Sequence, residues 1–182
     1  MTVPATHPPS GAQAIDGRVL RNVCGLFVTG VTVITTGLDG EYDGTTVNSF
    51  TSVSLDPPLV LFCLHNQSRL CPVVQESGLF VVNFLAGRQE RLARAFAAKQ
   101  TAEFGEVTHH RSADGVPVLS DALAFLVCEL VNQFEGGDHT IFLGKVLEVG
   151  APRDNSEPLI FFRGSLGALE HEPVAVPPIW EA

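Results

Sequence analysis

Residues 135–139, which read EGGDH, place a histidine where a strand is expected to turn. Two glycines and an acid lead into His139, and the sequence then becomes strongly apolar. Glycines let a backbone approach a flat ligand without a Cβ clash, and an imidazole can hydrogen-bond a ligand or supply a proton. The pattern leaves two interpretations open: an incidental residue at a hairpin tip, or an imidazole held over a bound molecule.

Two further stretches carry side chains suited to a polar ligand. TTVNSFTSVS (45–54) is rich in hydroxyl groups and is flanked by apolar strands, which indicates either a polar barrel rim or a row of donors along a planar ligand. In CLHNQSR (63–69), a buried strand ends and Ser68 begins a helix. Free backbone N–H groups there, beside Arg69, would form a phosphate site, and ordinary helix capping is the alternative.

The sequence lacks the motifs of several common enzyme sites. It contains no G-x-G-x-x-G, no G-x-S-x-G and no H-E-x-x-H. His109 and His110 are adjacent, so on a strand they face opposite ways and cannot chelate a metal together. These absences predict no metal site and favour a bound cofactor that supplies the reactivity.

Composition limits the class of protein. With 182 residues, 45% of them hydrophobic and 17% charged, the chain is predicted to form one domain with a substantial core. A net charge of -9 argues against a nucleic-acid surface. Residues 1–14 lack the charged start and apolar run of a signal peptide, and no apolar run approaches about 20 residues, so we expect a soluble protein without a membrane span. The four cysteines form no C-x-x-C pair and are predicted to be buried free thiols, as in a cytoplasmic protein.

The elements expected to position these residues are mostly strands. They are predicted at 30–36, 45–55, 57–64, 79–85, 122–134, 139–149 and 158–162, where β-branched and apolar runs are bounded by turn residues. A first helix is predicted after an Asp16 cap, and it has one apolar face formed by Val19, Leu20, Val23 and Phe27. A second is predicted from Ser68 to Gly78, and a third over 87–99.

Several predicted strands are apolar on both faces. In 139–149, Ile141 and Leu143 point one way while Phe142 and Val146 point the other. We therefore predict a mainly β fold with flanking helices, in which the sheet closes into a small barrel covered by helices or by a second subunit. A doubly wound α/β fold is the alternative, but the strands cluster as hairpins rather than alternating with helices.

The barrel domain is predicted to span residues 15–170. The Pro-rich ends are predicted to be a flexible N-terminal segment (1–14) and an extended C-terminal tail (171–182). Trp180 in the tail suggests that the tail docks on another surface, such as a partner subunit.

Five segments in order resemble the short-chain flavin reductase family over about residues 20–169. They are TGVTVITT (29–36), TTVNSFTSVSLDPPLVLFCL (45–64), the serine at 68, FVVNFLAGRQERLARAFA (80–97) and GGDH (136–139). The resemblance implies an FMN-binding split β-barrel that forms a homodimer with flavin near the subunit interface. Such proteins use NADH or NADPH to reduce FAD or FMN, and they release the reduced flavin to a separate flavin-dependent monooxygenase.

The resemblance also implies which residues bind the ligands. The isoalloxazine is expected along Thr45, Thr46, Val47, Asn48 and Ser49, and the ribityl and phosphate portion at Ser52, Val53 and Ser54. Cys63, Leu64 and Ser68 would continue that wall, with Asn83 and Phe84 on the other side. Gly137 and Asp138 are also expected to contact the cofactor, and His139 would lie by the nicotinamide as the catalytic residue.

The sequence departs from the family pattern at two positions. Leu166 follows an RG pair where an aromatic residue is common, and Glu103 stands where a basic residue often precedes Phe104. Lysines are scarce, with only Lys99 and Lys145, and this favours NADH over NADPH because a 2′-phosphate needs a cationic partner. Two alternatives are a flavoprotein that keeps its flavin and reduces an organic substrate, and a flavin- or haem-binding split-barrel protein without turnover.

Overall fold

The computed structural model describes residues 14–98, 104–151 and 156–169, and these ranges contain a β-rich domain with three α-helices. The helices are α1 (Gly17–Cys24), α2 (Leu70–Ser77) and α3 (Glu90–Ala97). The strands are β1 (Thr29–Gly30), β2 (Thr32–Leu38), β3 (Glu41–Val47), β4 (Thr51–Leu55), β5 (Pro58–His65), β6 (Leu79–Phe84), β7 (His109–Arg111), β8 (Pro117–Leu119), β9 (Ala124–Gly136), β10 (His139–Gly150), β11 (Leu159–Phe162) and β12 (Ser165–Ala168). The predicted segments 1–14 and 171–182 lie outside the described residues, apart from residue 14.

Seven strands form the main sheet in the order β3-β2-β6-β9-β10-β5-β4. The two edge strands, β3 and β4, are consecutive along the chain and are joined only by residues 48–50. Because so short a connection spans little more than about 10 Å, the sheet must curl until its edges meet. The result is a barrel that is split between β3 and β4, and we refer to this split as the seam.

The described strand pairs are all antiparallel, which excludes the doubly wound alternative. The prediction of a mainly β split barrel with flanking helices is confirmed. Sequence patterns missed the short hairpin β7–β8 and strand β12, which are three or four residues long and carry little periodicity.

Aromatic rings fill the barrel interior. Phe62 on β5 and Phe142 on β10 stack with ring centroids 5.1 Å apart, and Phe80 on β6 meets Phe62 edge-on at 4.9 Å. Gly144 makes room for this packing, since a Cβ there would lie 2.3 Å from the Cζ atom of Phe80. The interior of the barrel is therefore solid protein, and a ligand has to bind at the seam or on the outside.

The helices begin and end close to the predicted residues. The Asp16 carboxylate accepts from the Arg18 backbone N–H at 2.7 Å and caps α1. The hydroxyl of Ser68 accepts from the Leu70 N–H at 3.3 Å, although α2 begins one residue later than predicted, and Gly78 ends this helix with φ +67°. Helix α3 is preceded by a 3-10 turn over Gly87–Gln89, so the observed α-helix begins three residues later than predicted.

Helix α1 differs from the prediction because its apolar face stays exposed within the described ranges. None of its residues is buried, and Phe27 just beyond it is 76% exposed. Cys24, at the end of this helix, is consequently exposed, which corrects the prediction that all four cysteines are buried. Cys71 and Cys128 are buried, and burial raises the pKa of the Cys128 thiol to about 12. Throughout the described ranges, the helices are too short or too polar to cross a lipid bilayer.

Candidate active site

A cleft of about 300 Å³ opens at the seam, where the ends of β3, β5 and β10 come together. Its lining residues come from all three stretches that the sequence singled out: Thr45, Thr46, Val47, Asn48, Ser49, Cys63, Leu64, His65, Ser68 and His139. These residues are separated by up to about ninety positions in the sequence, and the curl of the sheet brings them to one place. Nine of the ten were predicted as site residues, and His65 was missed.

Ser49 links two parts of the cleft wall by hydrogen bonds. Its hydroxyl donates to the Cys63 carbonyl at 2.9 Å and accepts from the Cys63 backbone N–H at 3.0 Å. This pair of bonds joins the β3–β4 connection to β5, so Ser49 shapes the cleft wall. Burial raises the pKa of the Cys63 thiol, which leaves it a neutral wall residue rather than a nucleophile.

Two of the hydroxyl groups expected to face a ligand bind helix α3 instead. Thr46 donates to the Ala93 carbonyl at 2.7 Å, and Thr45 donates to the Phe96 carbonyl at 3.4 Å. Each hydroxyl has only one proton, so both side chains can offer a ligand no more than an acceptor. The prediction of a row of side-chain donors is therefore wrong for these two residues.

Asn48 is suited to a ligand at the mouth of the cleft. Its side-chain nitrogen donates to the Thr29 hydroxyl at 3.3 Å, while its side-chain oxygen accepts from no group within the described ranges. Asn48 also lines two neighbouring clefts, of about 270 Å³ and about 210 Å³. The larger of these contains Leu166, the residue that departs from the family pattern. The binding region thus continues on both sides of Asn48.

His139 lies at the first position of β10, directly after the Gly137-Asp138 turn. Gly137 has φ +75°, a conformation that favours glycine. The His139 Nδ1–H donates to the Asp138 carboxylate at 2.6 Å, which leaves Nε2 as the ring nitrogen for a ligand. This hydrogen bond and the charge of His139 lower the pKa of the Asp138 carboxyl, so the acceptor stays ionised. The imidazole is 44% exposed, as expected for a group that meets a diffusing substrate.

His65 is the cleft residue that sequence patterns missed. It pairs with His139 across β5 and β10, and the two rings meet edge-on with centroids 5.4 Å apart. A signal was present, because Leu61, Cys63 and His65 alternate along one face of β5. The strand was predicted to end at 64, one residue too early.

The structure does not bring Asn83 or Phe84 to this cleft. Asn83 is fully buried and its amide joins three elements: it donates to the Val33 carbonyl and the Thr35 hydroxyl, both at 3.0 Å, and accepts from the Leu119 N–H at 2.8 Å. Asn83 therefore stabilises the barrel wall. Phe84 lines the adjoining cleft of about 210 Å³, where its ring meets Phe50 edge-on at 5.0 Å.

The remaining predicted contacts lie near the cleft without lining it. Ser52, Val53 and Ser54 belong to β4, beyond the seam, and the first two are exposed. Gly137 and Asp138 form the turn next to His139. Among the described residues, no group of three or more His, Cys, Asp or Glu side chains is placed to hold a metal ion.

Arg69 is engaged elsewhere, contrary to the expectation that it borders a phosphate site. Its Nε and Nη2 atoms each donate to the Asp43 carboxylate at 3.1 Å, and Nη2 also donates to the Gly44 carbonyl at 3.2 Å. A bidentate pair of this kind neutralises the guanidinium and fixes its plane. The Leu70 and Cys71 N–H groups at the start of α2 are bonded to Ser68, so an anion in this cleft has the Ser68 hydroxyl and the two imidazoles as partners.

Replacing Arg69 by methionine is expected to change flavin affinity less than about threefold while lowering the free energy of unfolding by about 1 kcal/mol. The physical reason is that Arg69 binds Asp43 and not the ligand. Flavin titration and urea denaturation measure the two quantities. Asp43→Asn is the matched control, with a similar loss of stability and no loss of affinity. A tenfold weaker flavin affinity in Arg69→Met alone would restore the phosphate role.

Fold and cleft together define a class: antiparallel split-barrel proteins with an open, hydroxyl-lined cleft at the seam. Residues 24–170 match the flavin reductase like domain. The reductase subunit HsaB of a flavin-dependent monooxygenase from Rhodococcus jostii is 39% identical over 169 residues, which cover 93% of this chain and 86% of that protein.

Two solved structures have the same fold. Nitrilotriacetate monooxygenase component B from Mycobacterium thermoresistibile superposes with a TM-score of 0.84 and 35% identity, covering 91% of this chain and 94% of that one. The NADH:FAD oxidoreductase SgcE6 of Streptomyces globisporus, in complex with NAD and FAD fragments, gives a TM-score of 0.78 and 38% identity, covering 92% and 99%. The chain belongs to the flavin reductase like family.

Proposed function

We propose that the protein is an NAD(P)H:flavin oxidoreductase that reduces FAD or FMN and supplies the reduced flavin to a flavin-dependent monooxygenase, with NADH as the preferred donor. The observation that carries the proposal is the meeting of His139 with the Thr45–Ser49 wall in one open cleft. The names of the relatives support it, since HsaB is a monooxygenase reductase subunit and SgcE6 is an NADH:FAD oxidoreductase.

The residues of the cleft fit a flavin. Val47 and Leu64 provide apolar surface for a flat ring, and the unused oxygen of Asn48 can accept from a ring N–H group. Ser68 can donate its hydroxyl hydrogen to a phosphate, whereas the first N–H groups of α2 are already bonded to the Ser68 hydroxyl and carbonyl. No residue lining this cleft is an arginine or a lysine, so the Ser68 hydroxyl and the imidazoles carry the recognition of charge.

The chain has to position two rings rather than perform acid–base chemistry. The flavin supplies the redox chemistry, by taking up a hydride from the nicotinamide when both are bound. In the proposed arrangement, Val47, Asn48 and Leu64 support one ring, and His139 contacts a second ring stacked on the first. Through Nε2, His139 can hold the nicotinamide amide or deliver a proton that balances the added negative charge. Positioning is the role we favour, because hydride transfer needs no side-chain acid.

Anaerobic mixing tests the proposed activity directly. The protein, NADH and either FAD or FMN are combined without oxygen, and flavin absorbance is followed near 450 nm. Bleaching that exceeds the rate without protein supports the proposal. If neither FAD nor FMN is bleached, the protein would instead be a binding protein without turnover. If both are bleached, the rates identify the preferred flavin.

We further propose that the protein forms a homodimer in the cytoplasm. Large apolar side chains stay exposed on two surfaces, namely α1 with its following turn and the outer face of β4 and β10: Val19, Val23, Phe27, Leu55, Leu147 and Val149. Exposed apolar area of this extent is typical of an interface. A second copy is the occupant we favour, because a barrel with both sheet faces apolar needs an outer cover. The four free thiols support a reducing compartment.

The double substitution Val23→Glu and Phe27→Glu is expected to convert a dimer to a monomer, because it places charges in the proposed interface. Sedimentation equilibrium measures the change, and the dimer is expected to weaken at least about a hundredfold. Arg18→Glu on the same helix is the control, since Arg18 is exposed and adds no apolar area. A wild-type monomer at micromolar concentration would refute the dimer.

A further inference from the structure

The Gly137–Thr140 segment that carries His139 is held by one residue of the loop after β5. The backbone N–H of Asn66 donates to the Asp138 carbonyl at 2.9 Å. Its side-chain nitrogen donates to the Gly137 carbonyl at 3.0 Å, and its side-chain oxygen accepts from the Thr140 hydroxyl at 2.9 Å. Asn66 therefore binds the chain on both sides of His139 at once.

Strand pairing also holds this hairpin tip, since His139 pairs with His65 on β5 and with Gly136 on β9, but side-chain packing at the tip is sparse. The last five residues of β9 are exposed, as are Gly137 and Asp138, so little apolar packing restrains this end of the hairpin. The imidazole itself bonds only to Asp138, its own neighbour in the turn. Any movement of the turn would therefore carry Asp138 and His139 together, and the β5 side has to fix their position.

An amide side chain fits this arrangement well. The Gly137 carbonyl can only accept, and the Thr140 hydroxyl donates in this structure, so the amide serves both with its one donor group and its one acceptor. The same logic assigns the nitrogen of the Asn66 amide to Gly137 and its oxygen to Thr140. A carboxylate would lack the donor, and an alkyl group would lack both.

We propose that Asn66 is a positioning residue for the reaction, which acts by holding the Asp138-His139 pair over the cleft. The proposal rests on the proposed function, in which His139 contacts the nicotinamide. Asn66 does not line the cleft, so its effect on NADH must pass through His139. Because Asn66 is exposed, removing its side chain should leave the barrel core intact.

The test compares wild type, Asn66→Leu, His139→Ala and the double variant in steady-state NADH oxidation. Asn66→Leu is expected to lower kcat/KM for NADH about fivefold to tenfold with the KM for flavin unchanged. In the His139→Ala background, the same substitution is expected to change kcat/KM less than twofold, since the residue it positions is gone. Gln67→Ala, an exposed neighbour in the same loop, is the control and should match wild type.

Amide hydrogen exchange of residues 137–140 in the ligand-free protein gives a readout independent of activity. Faster exchange in Asn66→Leu than in Gln67→Ala is expected. Equal exchange in the two variants, or an equal kinetic loss from Asn66→Leu with and without His139, would overturn the positioning role. If the NADH kinetics of His139→Ala match those of wild type while amide exchange rises in Asn66→Leu, the proposed role of His139 fails. The structural role of Asn66 in holding residues 137–140 would remain. A wild-type protein that oxidises no NADH would overturn both.

Discussion

Substitution of His139 by alanine is expected to lower kcat/KM for NADH about 10- to 100-fold while the dissociation constant for flavin changes less than about threefold. The imidazole is 44% exposed, and in the proposed arrangement the flavin lies along the Thr45–Ser49 stretch and Leu64. Loss of the ring therefore removes a contact to the donor and leaves the acceptor site in place.

Steady-state kinetics at saturating flavin and a fluorescence titration of flavin measure the two quantities. His110→Ala is the matched control, because His110 is exposed on β7, outside the residues that line the cleft. Unchanged NADH kinetics in His139→Ala would return His139 to an incidental hairpin residue. A parallel loss of flavin affinity would show that the residue belongs to the flavin wall.

Replacement of Asn83 by leucine is expected to lower the free energy of unfolding by about 3 kcal/mol. The buried amide bonds to groups on β2 and at the end of β8, namely the Val33 carbonyl, the Thr35 hydroxyl and the Leu119 N–H. Leucine would leave the Leu119 N–H without an acceptor in an interior that water does not reach, which costs about 1–3 kcal/mol, and it would remove the amide bonds to the Val33 carbonyl and the Thr35 hydroxyl, which keep other partners.

Urea denaturation at low temperature measures this loss. Gln75→Leu is the matched control, since the Gln75 amide bonds to Gln133 at 2.9 Å on the exposed surface and its loss should cost less than about 0.5 kcal/mol. The folded Asn83→Leu protein is expected to bind flavin as the wild type does. Near-normal stability combined with weak flavin binding would instead support the sequence-based assignment of Asn83 to the ligand.

The barrel and most of the residues that line the cleft could be predicted from the sequence, because both produce patterns among residues that are close together in the chain. Strands with two apolar faces required a closed sheet, and a hydroxyl-rich run between apolar strands marked the seam. The Gly-Gly-Asp-His turn could be found from glycine and histidine alone, since Gly137 needs positive φ and the turn must be exposed.

What the sequence could not predict depends on contacts between distant residues. Thr46 binds the Ala93 carbonyl, 47 residues away, and Arg69 binds Asp43, 26 residues away. The positions of threonine and arginine in the sequence do not show which hydrogen-bond acceptor will lie nearest to each side chain in the folded protein. Asn83 was misassigned for the same reason, because a buried amide in a strand looks alike whether it joins strands or binds a ligand.

Helix α1 illustrates a different limit. Its apolar periodicity correctly predicted a helix with one apolar face, but no residue of that face is buried within the described ranges. Periodicity predicts that a face is apolar and does not tell which surface covers it.

The central claim is that flavin is a substrate that enters and leaves an open cleft. The most direct measurement is the initial rate of NADH oxidation by purified protein as free FAD or FMN is increased. We predict a rate that depends on added flavin and saturates with it. A rate that is independent of added flavin and requires an organic acceptor would contradict the account, because the flavin would then be a fixed group.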